Sequence, residues 1–284
     1  MVAMYEKMSG EQLYLAGENT IWVADLAADG ALGEPAVVID DLPDSDQHGR
    51  HTLAFGPDGM LYVSVGSSCN VCIETEPETA TILRMNADGT ERTIFASGLR
   101  NTLARGWHPE TGELWGMDQG SDWRGEDQPP EELNAIVEGG NYGWPFCFGD
   151  GETDVYGPYV PAGSTLEQYC GLTDVPALNY QAHSSPIGMV YYDGDQFPDD
   201  YQGDAFVAMR GSWNRDPETG YKIVHVQFED GQPVAIEDFI TGWLVEDDAA
   251  HFGRVAGLAV LPDGSMLISE DTNGVIYRVT YTGD

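Results

Sequence analysis

Phe55-Gly-Pro-Asp-Gly-Met-Leu-Tyr-Val63 and Val260-Leu-Pro-Asp-Gly-Ser-Met-Leu-Ile268 share one pattern, in which short apolar runs flank a Pro-Asp-Gly turn. Such a turn between apolar runs indicates a β-hairpin. Trp107-His-Pro-Glu-Thr-Gly-Glu-Leu-Trp115 is a looser copy, and Gly10-Glu-Gln-Leu-Tyr-Leu15 is looser still. The spacing between the prolines of the first three copies is close to multiples of about fifty residues, which is typical of propeller blades. The alternative is a set of unrelated hairpins in a β-sandwich.

The rest of the chain also favours an all-β fold. Glycines are frequent, at 35 of 284 residues, and long helical periodicity is nearly absent. The best helix candidate runs from Pro129 to Val137, although this run could also be the start of a strand. Many short strands with turn signals between them predict a sheet protein. The predicted strands are Leu13–Ala16, Thr20–Leu26, His51–Phe55, Met60–Val65, Thr93–Ala96, Ile187–Tyr192, Ala205–Met209, Tyr221–Phe228, Val255–Leu261, Met266–Ser269 and Val275–Thr280.

The segment from Asn141 to Gln181 interrupts this pattern. It is rich in glycine, proline and aromatic residues and shows little strand periodicity. Loops of this length in a compact domain are usually functional or pinned by structure. We therefore expect a single domain over residues 1–284, with a long inserted loop at about 141–181.

The net charge excludes several classes of partner. The chain has 48 acidic and 12 basic side chains, which gives −36, and its 42% apolar content is enough for a packed core. Nucleic acids and anionic membrane surfaces need clustered Lys and Arg, so both are unexpected partners. No apolar run approaches the roughly 18 residues of a spanning helix. The segment Met1–Met8 also lacks the pattern of a secretory signal.

Three explanations for the acidity remain open. A salt-adapted surface carries scattered carboxylates that stay hydrated while salt screens their repulsion. Cation binding would use a few carboxylates, and a cationic partner is the third option. The acidic residues are spread along the chain rather than gathered in a tail, which favours the salt-adapted surface and a halophilic source.

Four cysteines lie in two pairs. Cys69 and Cys72 form a C-x-x-C motif, and Cys147 and Cys170 flank part of the long loop. A zinc site would need four convergent ligands, and a thioredoxin-like motif would need a βαβ context. Two local disulfides therefore fit better than reduced, buried thiols, and they predict an oxidising compartment.

Several loop segments carry side chains suited to cofactor or metal binding. In Gly98-Leu-Arg-Asn101 the guanidinium of Arg100 offers a planar set of donors for carboxylate or quinone oxygens. The segments Met117–Ser121, Pro129–Asn134 and Gly139–Pro145 are rich in oxygen donors. They could form a calcium site or could simply be solvated acidic loops.

Histidines and scarce arginines near predicted strand ends are further candidates. His48 and His51 precede a strand, where a histidine can act as a general base or merely pack. The remaining candidates form either a functional cluster or a set of ordinary salt bridges: His183, Arg210, Trp213, Arg215 and Arg254.

Taken in order, these segments resemble the soluble glucose/sorbosone dehydrogenase family of quinoproteins over roughly residues 12 to 280. The Cys69-Asn-Val-Cys72 motif is similar to the sorbosone dehydrogenase branch. The matching segments are His48, Leu53–Val63, Gly98–Asn101, His108–Trp115, Glu131–Asn134, Gly140–Pro145, His183–Gly188, Phe206–Arg215, Gly220–Lys222 and Gly253–Leu258.

The resemblance implies a six-bladed β-propeller that binds pyrroloquinoline quinone and calcium. It assigns His48 as the base that takes the sugar hydroxyl proton while hydride passes to the quinone, and Arg100 as a group that stabilises charge on the cofactor. The cofactor contacts that it implies are Arg100, Asn101, Arg210, Trp213, Arg215 and Arg254. The implied calcium ligands are Gly120 and Ser121 at the cofactor, with Glu132 and the Tyr142 carbonyl at a second, structural site.

The sequence departs from the family pattern at several points. Gln47 replaces an acidic residue, Ser68 replaces a cofactor-contacting glutamine, and Ala256 replaces a second stacking arginine. The family also has a blade and a half before the Leu13-Tyr14 strand, so we expect only about four and a half to five blades here. Because an open sheet edge exposes unpaired strand groups, we expect a fragment, a five-bladed closure or a completing partner.

The predicted activity is quinone-dependent oxidation of an aldose or sugar aldehyde, with a separate electron acceptor. The first alternative is a calcium-containing propeller that binds sugars or other partners without redox chemistry, and the next is a calcium-dependent lactone hydrolase. A homo-oligomer is one option for its assembly. The family and the cysteines predict a periplasmic or extracellular location.

Overall fold

The computed structural model describes residues 2–5, 12–160, 163–245 and 250–283. Much of the Met1–Met8 segment and the beginning of the repeat copy at Gly10 lie outside the described residues. Within the described ranges, α-helix is confined to α1, at Leu166–Cys170. The strands are β1 (Val2–Tyr5), β2 (Gln12–Ala16), β3 (Ile21–Asp25), β4 (Ala36–Ile39), β5 (Leu53–Phe55), β6 (Leu61–Val65), β7 (Thr81–Met85), β8 (Thr93–Ser97), β9 (Ala104–Trp107), β10 (Leu114–Asp118), β11 (Glu131–Ile136), β12 (Cys147–Phe148), β13 (Glu152–Thr153), β14 (Leu178–Tyr180), β15 (Pro186–Tyr191), β16 (Ala205–Met209), β17 (Lys222–Glu229), β18 (Gln232–Ile240), β19 (Leu244–Val245), β20 (Ala250–His251), β21 (Val255–Val260), β22 (Met266–Glu270) and β23 (Val275–Val279).

The contacts divide the chain into two compact units. The first unit comprises Met1–Asn101, Val137–Cys147 and Gly151–Asp174, and the second comprises Thr102–Ile136, Phe148–Asp150 and Val175–Asp284. The prediction of a single domain over residues 1–284 stays a prediction.

Among the described residues, five antiparallel sheets of three or four strands are of the propeller-blade type, and β12-β13 and β19-β20 form two further two-stranded sheets. The first unit holds the sheets β1-β2-β3-β4 and β5-β6-β7-β8. The second holds β9-β10-β11-β14, β15-β16-β17-β18 and the three-stranded sheet β21-β22-β23. The all-β prediction is confirmed, and the sheets fit the expected four and a half to five blades.

The repeated hairpins occupy equivalent places in their sheets. The turn after Phe55 joins β5 to β6, and the turn after Val260 joins β21 to β22. The looser copy at Trp107–Trp115 joins β9 to β10 in the same way. In each copy the motif therefore links the first and second strands of one sheet, as a blade repeat predicts.

Of the two interpretations of Pro129–Val137, the helix is wrong and the start of a strand is confirmed. The helix candidate Pro129–Val137 contains β11, which pairs with β10 on one side and β14 on the other. Glu131 to Leu133 are all buried, so the strand has no exposed face that would give an alternating pattern. Pairing across the sheet outweighs the helix propensity of its Glu, Leu and Ala residues.

The core of each unit lies between neighbouring sheets. In the first unit Tyr14 and Ile21 pack with Phe55, Leu61 and Leu83. In the second unit one core joins the β10 and β11 sheet to the β16 and β17 sheet, and another joins the latter to β21 and β22. Burial of a Leu or Phe side chain is worth about 2 kcal/mol, so these interlayer contacts hold the sheets face to face.

The four cysteines form the two predicted disulfides, Cys69–Cys72 and Cys147–Cys170. The second disulfide joins two cysteines of the first unit that lie 23 positions apart in the long loop, and Phe146 packs beside it. Disulfides of this kind are typical of extracellular or periplasmic proteins. Among the described residues, no helix is long and apolar enough to cross a membrane.

Candidate functional site

His48 lies at the end of a short 3-10 turn, Asp46–His48, just before β5. Its Nδ1 lies 2.9 Å from both the carbonyl oxygen and the hydroxyl oxygen of Ser67. The Ser67 hydroxyl donates to the carbonyl of Cys69 at 2.7 Å, so its lone pairs face His48. Both partners of Nδ1 are therefore acceptors, which places the ring proton on Nδ1 and leaves Nε2 as the basic nitrogen.

The surroundings of His48 favour the neutral ring. Burial, followed by the positive charge of Arg100, lowers the pKa of His48 to about 4, although the hydrogen bond to the Ser67 backbone acts in the other direction. A histidine with this pKa is unprotonated at neutral pH. It can therefore accept a proton without first losing one.

His51, the other histidine of the motif, has a structural role. Both of its ring nitrogens contact backbone carbonyls, Nδ1 with Ser64 at 2.9 Å and Nε2 with Glu18 at 2.8 Å. The residue is buried. Of the two candidates, only His48 has a basic nitrogen that is not already assigned to a backbone carbonyl.

Arg100 and Asn101 follow β8 in the first unit, and both are buried. The guanidinium of Arg100 donates from Nε to the carbonyl of Asn70 at 3.1 Å and from Nη2 to its side-chain oxygen at 3.0 Å. The carbonyl of Arg100 also accepts from the Ser67 amide at 2.8 Å. The structure therefore brings Arg100 into the same hydrogen-bonded group as His48.

Two glycines allow this close packing. A Cβ on Gly66 would lie 2.5 Å from the Cβ of His48, so any side chain there would displace the candidate base. Gly98 has φ of +71° and would meet the Asn141 side-chain oxygen at 2.5 Å. The Gly98-Leu-Arg-Asn101 motif thus begins where only glycine fits.

Arg254 is the central cation of the second unit's candidate site. Its Nη2 donates to the Gly211 carbonyl at 3.0 Å, and its guanidinium lies 5.8 Å from the centre of the Tyr221 ring. Burial, and then the nearby charge of Arg210, lower its pKa. Among the described residues its buried Nε has no hydrogen-bond partner. A buried donor without a partner costs free energy, so this nitrogen fits an anionic ligand.

Glu270 fixes the backbone that carries Arg254. The buried carboxylate accepts from the Arg254 amide at 2.8 Å and the Thr272 amide at 2.6 Å. It also accepts from the Asn273 amide and side-chain nitrogen, each at 3.0 Å. Burial acts to raise the pKa of Glu270, but these donors outweigh it and lower the pKa to about 2.

The other predicted cofactor contacts of the second unit have partners of their own. Arg210 pairs with Asp271, and Arg215 pairs with Asp127 at 3.0 Å. Trp213 is 62% exposed and packs edge-on against Trp123. The assignment of Arg210, Trp213 and Arg215 as cofactor contacts stays a prediction.

The loop at Gly120 and Ser121, the predicted calcium carbonyls, is held by Glu131 through the Gly120 amide. The buried Glu131 carboxylate accepts from the Gly120 amide at 3.0 Å and from the Ser185 amide at 2.7 Å. Ser185 and its neighbour His183 have φ of +58° and +69°, which is a strained conformation for residues with a side chain. One carboxylate thus joins the predicted calcium loop to a strained turn.

Glu132 points to the opposite face of β11 from Glu131. It pairs with Asp118 of β10 across the ladder, and its Oε1 accepts from the Gly149 amide at 2.5 Å. Burial, then repulsion by Asp118, raise the pKa of Glu132 to about 8. Asn134, also on β11, is fully buried, and among the described residues its side-chain oxygen has no donor. This set of oxygens suits a hard cation.

Tyr142, the other residue predicted at the structural calcium site, belongs to the first unit. Its amide donates to the Ser97 carbonyl at 3.0 Å, and its hydroxyl accepts from the Val137 amide at 2.9 Å. Its assignment to the calcium site with Glu132 stays a prediction.

The C-x-x-C motif is not a zinc site. Among the described residues, the two sulfurs and the Glu74 carboxylate form the one group of potential metal ligands whose atoms lie within 4.8 Å of one another. The sulfurs are joined in a disulfide, whereas zinc binds thiolates. The Glu74 carboxylate instead accepts from the amide and hydroxyl of Ser68, at 2.8 and 2.6 Å.

Comparison with known proteins places the chain in a family. The model of the TrAA12-like family matches residues 3–282. The chain belongs to this family. The likeness to a carbohydrate-active enzyme of family AA12 from Trichoderma reesei, solved with calcium, covers 98% of this chain and 79% of that one, with a TM-score of 0.82 at 22% identity. That likeness confirms the β-propeller fold.

Relatives of known sequence agree with the family assignment. An uncharacterised protein of Borreliella burgdorferi is 34% identical over 236 residues, which is 82% of this chain and 60% of the relative. A pyrroloquinoline quinone-dependent sugar dehydrogenase of Hypocrea jecorina is 26% identical over 68% of this chain and 49% of its own length. The chain thus spans about half to three-fifths of these curated relatives. The relatives support a general kinship with sugar oxidoreductases.

Sequence reasoning missed the residues that hold the candidates in place. Ser67 and Asn70 fix His48 and Arg100, while Glu131 and Glu270 fix the loops at Gly120 and Arg254. Buried carboxylates are rare, and nothing adjacent in the chain distinguishes these two from solvated ones. The adjacent Ser67-Ser68-Cys69-Asn70 segment offered a signal only through its C-x-x-C cysteines.

Proposed function

We propose that the protein oxidises an aldose or a sugar aldehyde of the sorbosone type, with pyrroloquinoline quinone as cofactor and calcium as the associated metal. His48 serves as the base, and its Nε2 takes the proton of the substrate hydroxyl. A separate electron acceptor reoxidises the cofactor. The observation that carries the proposal is the fixed, neutral state of the partly buried His48 beside Arg100.

The residues of this chain fit the quinone. Pyrroloquinoline quinone is a flat, multiply carboxylated anion, so it needs buried cations and donors. The chain has only 12 basic side chains, and both Arg100 and Arg254 have a buried guanidinium nitrogen. Among the described residues, Nε of Arg254 has no hydrogen-bond acceptor. We assign the cofactor contacts to Arg100, Asn101, Arg210, Trp213, Arg215 and Arg254.

The oxygen donors fit calcium. The carbonyls of Gly120 and Ser121 are assigned to the cofactor's calcium, and the Glu131 grip on the Gly120 amide holds this loop in position. Glu132, with Asp118 and Asn134 beside it, is assigned to the structural calcium together with Tyr142. Burial, followed by repulsion from Asp118, raises the pKa of Glu132 to about 8, and the charge of a bound cation would oppose both effects.

The quinone, when bound, supplies the redox chemistry by accepting two electrons from the substrate carbon. The chain supplies the rest. His48 accepts the hydroxyl proton, the Ser67 oxygens keep its ring in the required tautomer, and Arg100 places positive charge beside developing negative charge.

Reconstitution tests the proposal. The full chain is mixed with calcium and pyrroloquinoline quinone, and calorimetry measures quinone binding while reduction of an artificial dye measures turnover on a panel of sugars. Quinone binding with sugar-dependent dye reduction is the expected result. Calcium-dependent thermal stabilisation without quinone binding would instead identify the protein as a non-redox, sugar-binding propeller.

A further inference from the structure

The disulfide-closed loop Cys69-Asn-Val-Cys72 contacts Arg100 directly and His48 through Ser67, and the proposed function gives it no role. The Cys69 carbonyl accepts from the Ser67 hydroxyl at 2.7 Å, and that hydroxyl contacts Nδ1 of His48. One residue later, Asn70 presents its carbonyl and side-chain oxygen to Arg100. A single turn of chain therefore orients two side chains that are distant in sequence.

The contact with Arg100 has the form of a fixed clamp. Nε and Nη2 of one guanidinium meet two oxygens of one asparagine, at 3.1 and 3.0 Å. The Asn70 carbonyl also accepts from the Trp144 indole at 3.3 Å, which ties the loop to a second buried segment of the first unit. Two parallel bonds to a planar cation fix its direction as well as its position.

The disulfide explains why the loop can act in this way. Four residues bridged at both ends have few conformations, so the oxygens of Cys69 and Asn70 stay where the hydrogen bonds need them. Just outside the bridge, Glu74 holds the amide and hydroxyl of Ser68. The segment Ser67–Asn70 is thus held at Cys69 by the disulfide and at Ser68 by the Glu74 carboxylate.

We propose that the Cys69–Cys72 loop is a positioning element, in which Asn70 orients Arg100 and the Cys69 carbonyl, through Ser67, sets the tautomer of His48. The inference rests on the proposed function for its effect on turnover. The predicted effect on the orientation of Arg100 and the tautomer of His48 does not rest on it, because nuclear magnetic resonance can measure the protonation of His48 in the quinone-free protein. Asn70 is argued to act through Arg100, so it is a positioning residue.

Two substitutions of Asn70 distinguish loss of its side-chain hydrogen bond to Arg100 from a general effect on folding. Asn70→Leu keeps the volume but removes the side-chain acceptor of Arg100, while Asn70→Asp keeps an oxygen there. A hydrogen bond to a charged group is worth roughly tenfold or more in a rate or binding constant, so we expect kcat/KM to fall about tenfold in Asn70→Leu. In Asn70→Asp we expect kcat/KM to stay within about threefold of the wild-type value, which is a smaller loss than the tenfold fall of Asn70→Leu.

Nuclear magnetic resonance of the quinone-free protein provides the second readout. In Asn70→Leu the released Arg100 no longer holds its charge beside His48, so the pKa of His48 should rise from about 4. In Cys69→Ser/Cys72→Ser the ring nitrogen shifts of His48 should show loss of the single Nδ1–H tautomer. The Cys147→Ser/Cys170→Ser variant is the matched control, because it removes the other disulfide of the same unit.

Unchanged His48 shifts, pKa and turnover in folded Asn70→Leu would overturn the proposal. So would the same changes in the Cys147→Ser/Cys170→Ser control, since general loosening of the unit would then explain them. If the Cys69→Ser/Cys72→Ser protein does not fold, Asn70→Leu alone decides. If neither the wild type nor any variant oxidises sugar, the proposed function fails. The resonance measurements on His48 then still test whether the Cys69–Cys72 loop positions His48 and Arg100.

Discussion

Replacing Glu270 by glutamine should cost the second unit a large part of its stability. Four N–H donors converge on this one buried carboxylate, two on each oxygen. A glutamine amide offers an acceptor on one side only, so its nitrogen would face the two donors of either pair. The loop that carries Arg254 would then have to shift or leave these donors unpaired.

The pKa gives the magnitude. It is lowered from an ordinary value of 4.5 to about 2. At about 1.4 kcal/mol for each pKa unit, the charged carboxylate contributes about 3 kcal/mol to folding at neutral pH. Because the folded pKa is the lower one, this contribution is complete above pH 4.5 and is lost as the pH falls through about 2.

Urea denaturation followed by circular dichroism measures the effect. At pH 7 we expect the free energy of unfolding of Glu270→Gln to be about 3 kcal/mol lower than that of the wild type, with the gap narrowing below pH 4.5. Glu229→Gln, at an exposed strand end of the same unit, is the control and should stay within about 0.5 kcal/mol. A gap below about 1 kcal/mol at pH 7, or one that widens in acid, would refute the reasoning.

Three further results are expected. His48→Ala should lower the turnover of reconstituted enzyme at least about 100-fold with an unchanged circular dichroism spectrum. Wild-type turnover should fall only as the pH drops through about 4. A fall in turnover centred near pH 6.5 would contradict the environment derived for His48. Cys147→Ser/Cys170→Ser should lose about 3 kcal/mol in urea denaturation, because the bridge closes 23 residues, and a loss near zero would show that the loop is held without it. Raising sodium chloride from about 0.1 M to about 2 M should increase the Tm, since salt screens the repulsion of the −36 net charge; a Tm that falls would argue against a salt-adapted surface.

The strands that the sequence predicts are those bordered by clear turns. Leu61–Val65 and Met266–Glu270 follow Pro-Asp-Gly turns, and both were found within one residue of their true limits. Thr81–Met85 and Leu114–Asp118 were missed. Burial alone does not account for this, because Leu61–Val65 and Ala205–Met209 are buried throughout and are among the predicted strands. A fully buried strand is recognisable as a continuous apolar run between turns. Arg84 interrupts the run at Thr81–Met85, and Gly116 and Asp118 interrupt the run at Leu114–Asp118, so neither strand gives this signal.

The candidate site divides in a similar way. The cysteine pattern predicted the disulfides, and the resemblance gave the candidates His48 and Arg100 their roles. The geometry gives His48 and Arg100 a shared network. The partners that fix them come from far along the chain: Ser67 is 19 residues from His48 and Asn70 is 30 residues from Arg100. Such pairings depend on the register of the sheets, and no local pattern encodes them.

The left-handed turn at His183 and Ser185 has a consequence for protein engineering. Each residue stores about 1 kcal/mol of backbone strain that glycine would relieve. A screen for heat resistance would therefore tend to accept glycine at these two positions, as such screens reward any local relief. Glycine at these positions would also make the turn more flexible at the point where the Ser185 amide donates to the Glu131 carboxylate. Selection for heat resistance would therefore favour glycine, whereas selection for a precisely positioned site would disfavour it.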